Sequence, residues 1–155
     1  MSVSLDHPKY GASWGDAIVR FFANYSTFRG RASRSEYWWW ALTNALILTA
    51  MNFLATAWGV DDWQSAPIGL PLMGGPTGPI TSIPAVVSLV FVLGTLLPNL
   101  ALTWRRLHDT DRSGAWFFLA FLPVVGWIVL FFFLIGGPRE EGRRFDEPTD
   151  ARLPG

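Results

Sequence analysis

Helical spacing of apolar residues near the start of the chain is followed by three long apolar segments. Between Tyr10 and Tyr25 the apolar side chains recur at steps of three and four residues, which predicts an amphipathic helix over 10–25. We expect its polar residues on the opposite face; they are Asp16, Arg20 and Asn24. The segment is too polar to cross a bilayer, so it lies either in the plane of the membrane interface or packed on a helical bundle.

Residues 37–58 are the first segment long enough to cross a membrane. They carry no charge, and at ~1.5 Å per residue they can cross a hydrocarbon core of ~30 Å. Tryptophans mark both ends of the segment, as expected at the headgroup layer. Asn44 and Asn52 share one face of this helix, which we expect to face the bundle because an amide facing lipid is costly.

A second span is predicted over 84–103, after a loop over 59–83 that is rich in proline and glycine. Pro98 lies near the far end of this span, where it should kink the helix and free the carbonyl of Gly94. A polar stripe at helical spacing runs along it, made by Ser88, Thr95 and Asn99. We expect this stripe to face the asparagines of the first span, in bonds of about 0.6 to 2 kcal/mol each.

The third apolar segment, 115–135, is interrupted by Pro123 and Gly126. It can form one kinked span, or two short helices that fold back as a re-entrant hairpin. A charged connection over 104–114 precedes it, and an irregular polar tail over 137–155 follows.

Together these segments predict an all-α integral membrane protein. Its single membrane domain over 10–136 is a bundle of three transmembrane segments, or four if the last one is a hairpin, with an amphipathic helix at the interface. Residues 1–9 are predicted to be a disordered tail. Basic residues precede the first span and follow the second, whereas the loop has none, so we expect a cytoplasmic N-terminus and leave the side of the C-terminal tail open.

Composition supports the membrane class and excludes some chemistry. Half of the 155 residues are hydrophobic and only 15% are charged, whereas soluble domains carry about a quarter charged residues. Cysteine is absent, which excludes disulfides and thiolate sites. Eleven of the twelve basic residues are arginine, the side chain that stays charged and binds phosphate or carboxylate through two parallel bonds. The polar N-terminus has no apolar core, so we expect the first span to act as the insertion signal.

Two basic clusters are expected at the same membrane face. Their members are Arg29, Arg31 and Arg34 before the first span, and Arg105, Arg106 and Arg112 after the second. Between them lie Glu36, His108, Asp109 and Asp111. We expect the acids to pair with arginines across the mouth of the bundle, Glu36 with Arg105 or Arg106. The surplus arginines would hold anionic headgroups at about 1 kcal/mol each.

Both clusters lie in motifs that resemble a known family. The run FRGRASRSEYW at 28–38 is similar to the F-x-G-R-x-S-R-x-E-(F/Y)-W signature of the bacterial inner-membrane family called domain of unknown function 805. The run RRLHDTDRSGAW at 105–116, followed by Pro123 and Gly126, resembles the second block of that family. The resemblance implies a multi-pass protein of the bacterial inner membrane, and it implies no established activity.

We therefore expect a non-enzymatic membrane protein that binds anionic lipid, a membrane protein partner or a second copy of itself. The alternative is an oligomeric transporter or channel whose path is lined by the polar residues of the two spans. His108 and Asp109 are adjacent on a helix and do not face each other, so we predict no catalytic dyad. One histidine and two carboxylates in a turn are a weak ligand set, and we predict no metal, no cofactor and no nucleic-acid partner.

Overall fold

The computed structural model describes residues 7–57, 83–122 and 124–146, and within these ranges every regular element is a helix. In chain order the elements are α1 (Trp14–Ala23), α2 (Arg34–Ala57), α3 (Ile83–Asp109), a 3-10 helix (Gly114–Phe121), α4 (Val125–Ile135) and a second 3-10 helix (Glu140–Phe145). The predicted loop over 59–83 lies outside the described residues except for Ile83, with which α3 begins.

Helix α1 packs across α2 and begins with a capping box. The Ser13 hydroxyl accepts the amide of Asp16, and the Asp16 carboxylate accepts the amide of Ser13. Arg20 and Asn24, which were predicted on the polar face of this helix, are both buried. The ring of Phe21 stacks on Trp40 of α2 at 3.5 Å, and this contact turns the Arg20 side of the helix inward.

The outer face of α1 is instead apolar. Trp14, Val19 and Phe22 are exposed, and the indole N–H of Trp14 donates to the hydroxyl of Thr43 on α2 at 2.8 Å. At the other end of the helix, the hydroxyl of Tyr25 reaches α3. Helix α1 therefore contacts both long helices, with Arg20 and Phe21 turned in and Val19 and Phe22 turned out.

Helices α2 and α3 are the two described helices long and apolar enough to cross a membrane. Only 17% of the apolar window of α2 and 39% of that of α3 is buried, so most of their apolar surface lacks a protein partner within the described part of the chain. Helix α3 continues to Asp109, whereas the sequence predicted a connection from residue 104. The helix ends where Asp111 adopts a φ of 58° and the amide of Arg112 donates to Leu107, a typical left-handed C-terminal cap.

The polar stripe joins α2 to α3. Asn44, Ser88, Thr95 and Asn99 are buried, and Asn52 is half-buried. The indole N–H of Trp40 donates to Asn99 at 2.6 Å, and the Ser88 hydroxyl lies 3.7 Å from the sulfur of Met51. The hydroxyl of Tyr25 donates to the carbonyl of Gly94 at 2.6 Å, the group that Pro98 was predicted to free.

Residues 114–135 form two short helices rather than one span. The 3-10 helix Gly114–Phe121 is followed by a turn and then by α4, and we call this unit the hairpin. Gly126 sits where the two helices touch: a Cβ added there would lie 1.8 Å from the carbonyl oxygen of Leu119. The described residues of this segment therefore form two short helices that meet at Gly126, and not one continuous helix.

The segments predicted as tails are ordered where the structure describes them. Residues 7–9 are not disordered: the amide of Lys9 donates to Glu36 at 2.6 Å and its carbonyl accepts the hydroxyl of Ser33 at 2.7 Å. Residues 1–6 and 147–155 lie outside the described residues. The second 3-10 helix occupies much of the described C-terminal tail, which was predicted to be irregular.

Candidate functional site at the charged end

The N-terminus of α2 and the C-terminus of α3 meet and form what we call the charged end. The two sequence motifs touch directly there, since the amide of Ala32 donates to the carbonyl of Arg105 at 3.1 Å. The ring nitrogen Nδ1 of His108 lies 3.1 Å from the carbonyl of Gly30. The structure therefore brings the predicted clusters together, although only some of their arginines face outward.

Arg106 is the centre of this end, with none of its side chain exposed. Its Nε donates to the carbonyl of Leu134 at 3.0 Å and its Nη2 to that of Gly136 at 2.6 Å. Its Nη1 donates to Asp109 and, at 3.4 Å, to the carbonyl of Ala32. Because the last carbonyls of a helix have no partner within it, Arg106 serves as the C-terminal cap of α4.

Asp109 is also fully buried and is bound from several sides. It accepts the hydroxyl of Tyr10 at 2.7 Å, pairs with Arg106, and has Nη1 of Arg31 at 3.8 Å. Burial and the bond to Asp109 raise the pKa of the Tyr10 hydroxyl to about 12, so this tyrosine stays protonated at any physiological pH. A residue predicted only as the start of an amphipathic helix thus belongs to the site.

Arg31 binds the C-terminal tail. Its Nε contacts both carboxylate oxygens of Asp146 at 3.0 Å, and its Nη2 donates to one of them at 2.6 Å. The bond to Asp146 raises the pKa of Arg31 above its ordinary value, so the guanidinium is held as a cation. The amide of Gly30 donates to the carbonyl of Phe145 at 2.9 Å. We call Arg31, Arg106, Asp109 and Asp146 the arginine clamp.

His108 lies between the clamp and the tail. Its ring stacks on that of Phe145 with centroids 4.0 Å apart and an angle of 6°. Asp109 points instead to Tyr10 and Arg106. The two adjacent residues therefore have separate partners, which is the arrangement expected from their helix positions.

A second buried group, which we call the Glu36 cluster, consists of Arg20, Glu36 and Arg105. Glu36 is 1% exposed and accepts the amide of Lys9, and its Oε1 lies 3.0 Å from Nε of Arg20. The predicted partner Arg105 is 2% exposed, but its Nε and Nη1 have no hydrogen-bond partner among the described residues. Oε2 of Glu36 also lacks one there. Glu36 thus forms an ion pair with Arg20 of α1, and its predicted partner Arg105 acts on it through electrostatic attraction.

The remaining predicted residues face outward. Arg34 is exposed and donates through Nε to the carbonyl of Gly136 at 2.9 Å. The guanidinium carbon of Arg112 lies 3.5 Å from the ring centroid of Phe133, a cation–π contact. Asp111 lies outside the clamp and pairs with Arg144 at 3.0 Å. Arg29 is exposed.

Sequence reasoning missed four members of the site: Tyr10, Arg20, Gly136 and Asp146. Arg20 carried a usable signal, because it lies three residues from Ala17 and four from Asn24 and so shares a small-residue face with them. Asp146 and Gly136 carried none. The contact partner of each residue lies more than a hundred positions away in the chain, so no local sequence pattern identifies it.

Two long apolar helices with exposed apolar faces and a buried charged end are typical of small helical membrane proteins. A family model described as "Protein of unknown function (DUF805)" matches residues 25–147. The chain belongs to this family. It is 39% identical over 126 residues to the inner membrane protein YhaI of Escherichia coli K12, covering 81% of this chain and 88% of YhaI.

The chain is also similar to two further proteins. The inner membrane protein YhaH of Escherichia coli K12 is 37% identical over 118 residues, covering 76% of this chain and 83% of YhaH. The uncharacterized protein YiiR of the same organism is 30% identical over 105 residues, covering 67% of this chain and 53% of YiiR. No solved structure matches the chain.

Proposed function

We propose that this chain is a non-enzymatic protein of the bacterial inner membrane that binds anionic phospholipid headgroups at the rim of its charged end. The charged end faces the cytoplasm in this proposal, because the arginines flank α2 and α3 there and the sequence between these helices has no basic residue. Helices α2 and α3 cross the membrane. The names of the relatives YhaI and YhaH support the inner membrane as the location.

The observation that carries the headgroup site is the position of Arg34. Its guanidinium lies over Gly137, where an added Cβ would be 3.2 Å from Nη2, and its other nitrogens make no hydrogen bond to a described residue. Arg139, two residues further on, is exposed, and the described residues give its side chain no partner. Trp38 is exposed one turn along α2. We call Arg34, Trp38, Gly137 and Arg139 the Arg34 rim.

This rim replaces the larger site expected from the sequence. Of the six candidate arginines, Arg31, Arg105 and Arg106 are buried and cannot reach a headgroup without opening the fold. An exposed arginine beside an exposed tryptophan matches the layering of phosphate and glycerol groups at a bilayer surface. Each arginine there contributes about 1 kcal/mol toward an anionic membrane.

The test compares phosphatidylglycerol with phosphatidylcholine as titrants of the purified, delipidated protein in mixed micelles. We expect tighter binding of phosphatidylglycerol, weakened about fivefold by Arg139→Gln and about thirtyfold when Arg34→Gln is added. Arg143→Gln removes the same charge from an exposed tail residue paired with Glu140, and is the matched control. Equal affinity for both lipids, or equal loss in the control, would refute the headgroup site.

The proposal that the chain is not an enzyme rests on the same geometry. His108 is held by the carbonyl of Gly30 and by stacking on Phe145, and Asp109 is bound by Tyr10 and Arg106. A general base must reach a substrate, whereas His108 is only 7% exposed and Asp109 is fully buried. The polar stripe lends no support to a transport path, because its bonds join α2 to α3.

A further inference from the structure

The hairpin is too short for either of its helices to cross a membrane. The 3-10 helix has eight residues and a rise of ~2.0 Å per residue, and α4 has 11 residues and a rise of ~1.5 Å, so each is about 16 Å long. The hydrocarbon core of a bilayer is ~30 Å thick. Each helix reaches about half of that depth.

Both ends of the hairpin are fixed at the charged end. At its start, Gly114 lies against the indole of Trp104 so closely that an added Cβ would be 1.9 Å from a ring atom. At its end, the carbonyl of Gly136 accepts bonds from Arg34 and Arg106. The chain therefore leaves the charged end at Gly114 and returns to it at Gly136.

The far end of the hairpin is apolar and exposed. Four described residues around the turn are between 55% and 67% exposed; they are Phe121, Leu122, Val124 and Val125. No residue of the hairpin from 115 to 135 is charged. Leaving such side chains in water costs about 1.5 to 3 kcal/mol each, so a surrounding of hydrocarbon is strongly favoured.

Backbone groups of Leu122 and Val124 at the turn make hydrogen bonds within the hairpin. The amide of Leu122 donates to Leu119 at 2.9 Å, its carbonyl accepts the amide of Gly126 at 3.1 Å, and the carbonyl of Val124 accepts the amide of Ile128 at 3.0 Å. The indole N–H of Trp127 donates to the carbonyl of Ala120 at 2.9 Å. Irregular backbone within a membrane requires such internal bonds.

We propose that the hairpin is re-entrant: it enters the membrane from the charged side, is covered by the acyl chains of that leaflet, and returns to the same side. The covering surface is continuous with lipid-facing surfaces of the other helices, because Phe131 of α4 lies against Trp38 on the exposed side of α2. Only α2 and α3 then cross the bilayer, and the C-terminal tail lies on the side of the N-terminus. This inference does not require headgroup binding at the Arg34 rim.

The absence of cysteine in the chain makes a direct test simple. Single cysteines are placed at the start, turn and end of the hairpin by Ser113→Cys, Leu122→Cys and Pro138→Cys. They are treated with a membrane-impermeant thiol reagent in sealed spheroplasts and in inverted vesicles. We expect Ser113→Cys and Pro138→Cys to react from the same side, and Leu122→Cys to react only after detergent is added.

The other outcomes overturn the proposal. Reaction of Ser113→Cys and Pro138→Cys from opposite sides would mean that the segment crosses the membrane. Reaction of Leu122→Cys in sealed membranes would mean that the turn lies in water. Because a cysteine variant can fail to fold, reporter fusions to either terminus of the unchanged chain supply a second measurement. The two reporters must be active on the same side, and activity on opposite sides also refutes the hairpin.

Discussion

Replacing each arginine of the adjacent pair Arg105 and Arg106 with methionine should have very different effects. Methionine keeps most of the aliphatic packing of arginine and removes the charge and the donors. In Arg106→Met, the carbonyls of Leu134 and Gly136 lose bonds of 3.0 and 2.6 Å, and Asp109 loses its closest cation. Breaking a buried pair typically costs 3 to 5 kcal/mol, about the loss expected here because Tyr10 still donates to Asp109.

Arg105→Met removes a buried cation whose Nε and Nη1 make no hydrogen bond to the described residues. Glu36 keeps the amide of Lys9 and the guanidinium of Arg20. Arg105 attracts Glu36 electrostatically, but its burial opposes its charge more strongly, so the two effects of its removal largely offset each other. We therefore expect a change of no more than about 1 kcal/mol in the free energy of unfolding, and an increase is as consistent with the structure as a small decrease.

The assay is reversible unfolding of the purified protein in mixed micelles with increasing dodecyl sulfate, followed by tryptophan fluorescence. Arg143→Met is the control, because this residue is 67% exposed and its ion pair with Glu140 should contribute less than 1 kcal/mol. The result that refutes the reasoning is an equal loss in Arg105→Met and Arg106→Met, or a larger loss in Arg105→Met. Either would mean that Arg106 is not the centre of the charged end.

Three further predictions follow from individual contacts. Glu36→Arg should abolish accumulation of monodisperse protein, and adding Arg20→Glu should restore part of it; rescue by reversal of another arginine instead would contradict the observed pair. Tyr25→Phe should lower the free energy of unfolding by about 0.6 to 2 kcal/mol because the Gly94 carbonyl loses its donor, and no measurable loss would rule this bond out as stabilising. Hydrogen bonds from Lys9 and Ser13 lower the pKa of Asp16 to about 2 from an ordinary value of 3.8, so its contribution to stability is present above that ordinary value and is lost as the pH falls through 2. Unfolding measured between pH 5 and 2 should show this loss in the wild type and not in Asp16→Asn, and identical pH profiles would refute the assignment.

The long helices and some of their contacts could be predicted from the sequence, because the signals are local. A charge-free run of about twenty residues predicts a long apolar helix. A proline inside a helix frees the carbonyl four residues earlier, so Pro98 predicts that the carbonyl of Gly94 needs another partner. The face of α1 could not be oriented in the same way. Amphipathicity separates polar from apolar residues but does not say which group faces the interior, and in this chain Arg20 turns inward while Val19 and Phe22 turn outward.

The hairpin shows a second limit of sequence reasoning. Length and a proline–glycine pair in 115–135 permit either one span or two short helices, so the sequence alone left both open. The choice is made by Arg34 and Arg106, which bind the carbonyl of Gly136 from different helices. Contacts among three distant segments cannot be read from the periodicity of any one of them, and the same holds for the bond between Arg31 and Asp146.

The long separation of Arg31 and Asp146 has a consequence for biosynthesis. The two residues are 115 positions apart, so Arg31 is synthesised long before its partner. Arg20 and Glu36, in contrast, lie on successive helices and can meet as soon as α2 has emerged. The pair of Arg20 and Glu36 can therefore form early in synthesis, whereas the pair of Arg31 and Asp146 can form only when the C-terminal tail has been made. A chain that stops before Asp146 leaves Arg31, among the described residues, with only the longer contact of 3.8 Å to Asp109.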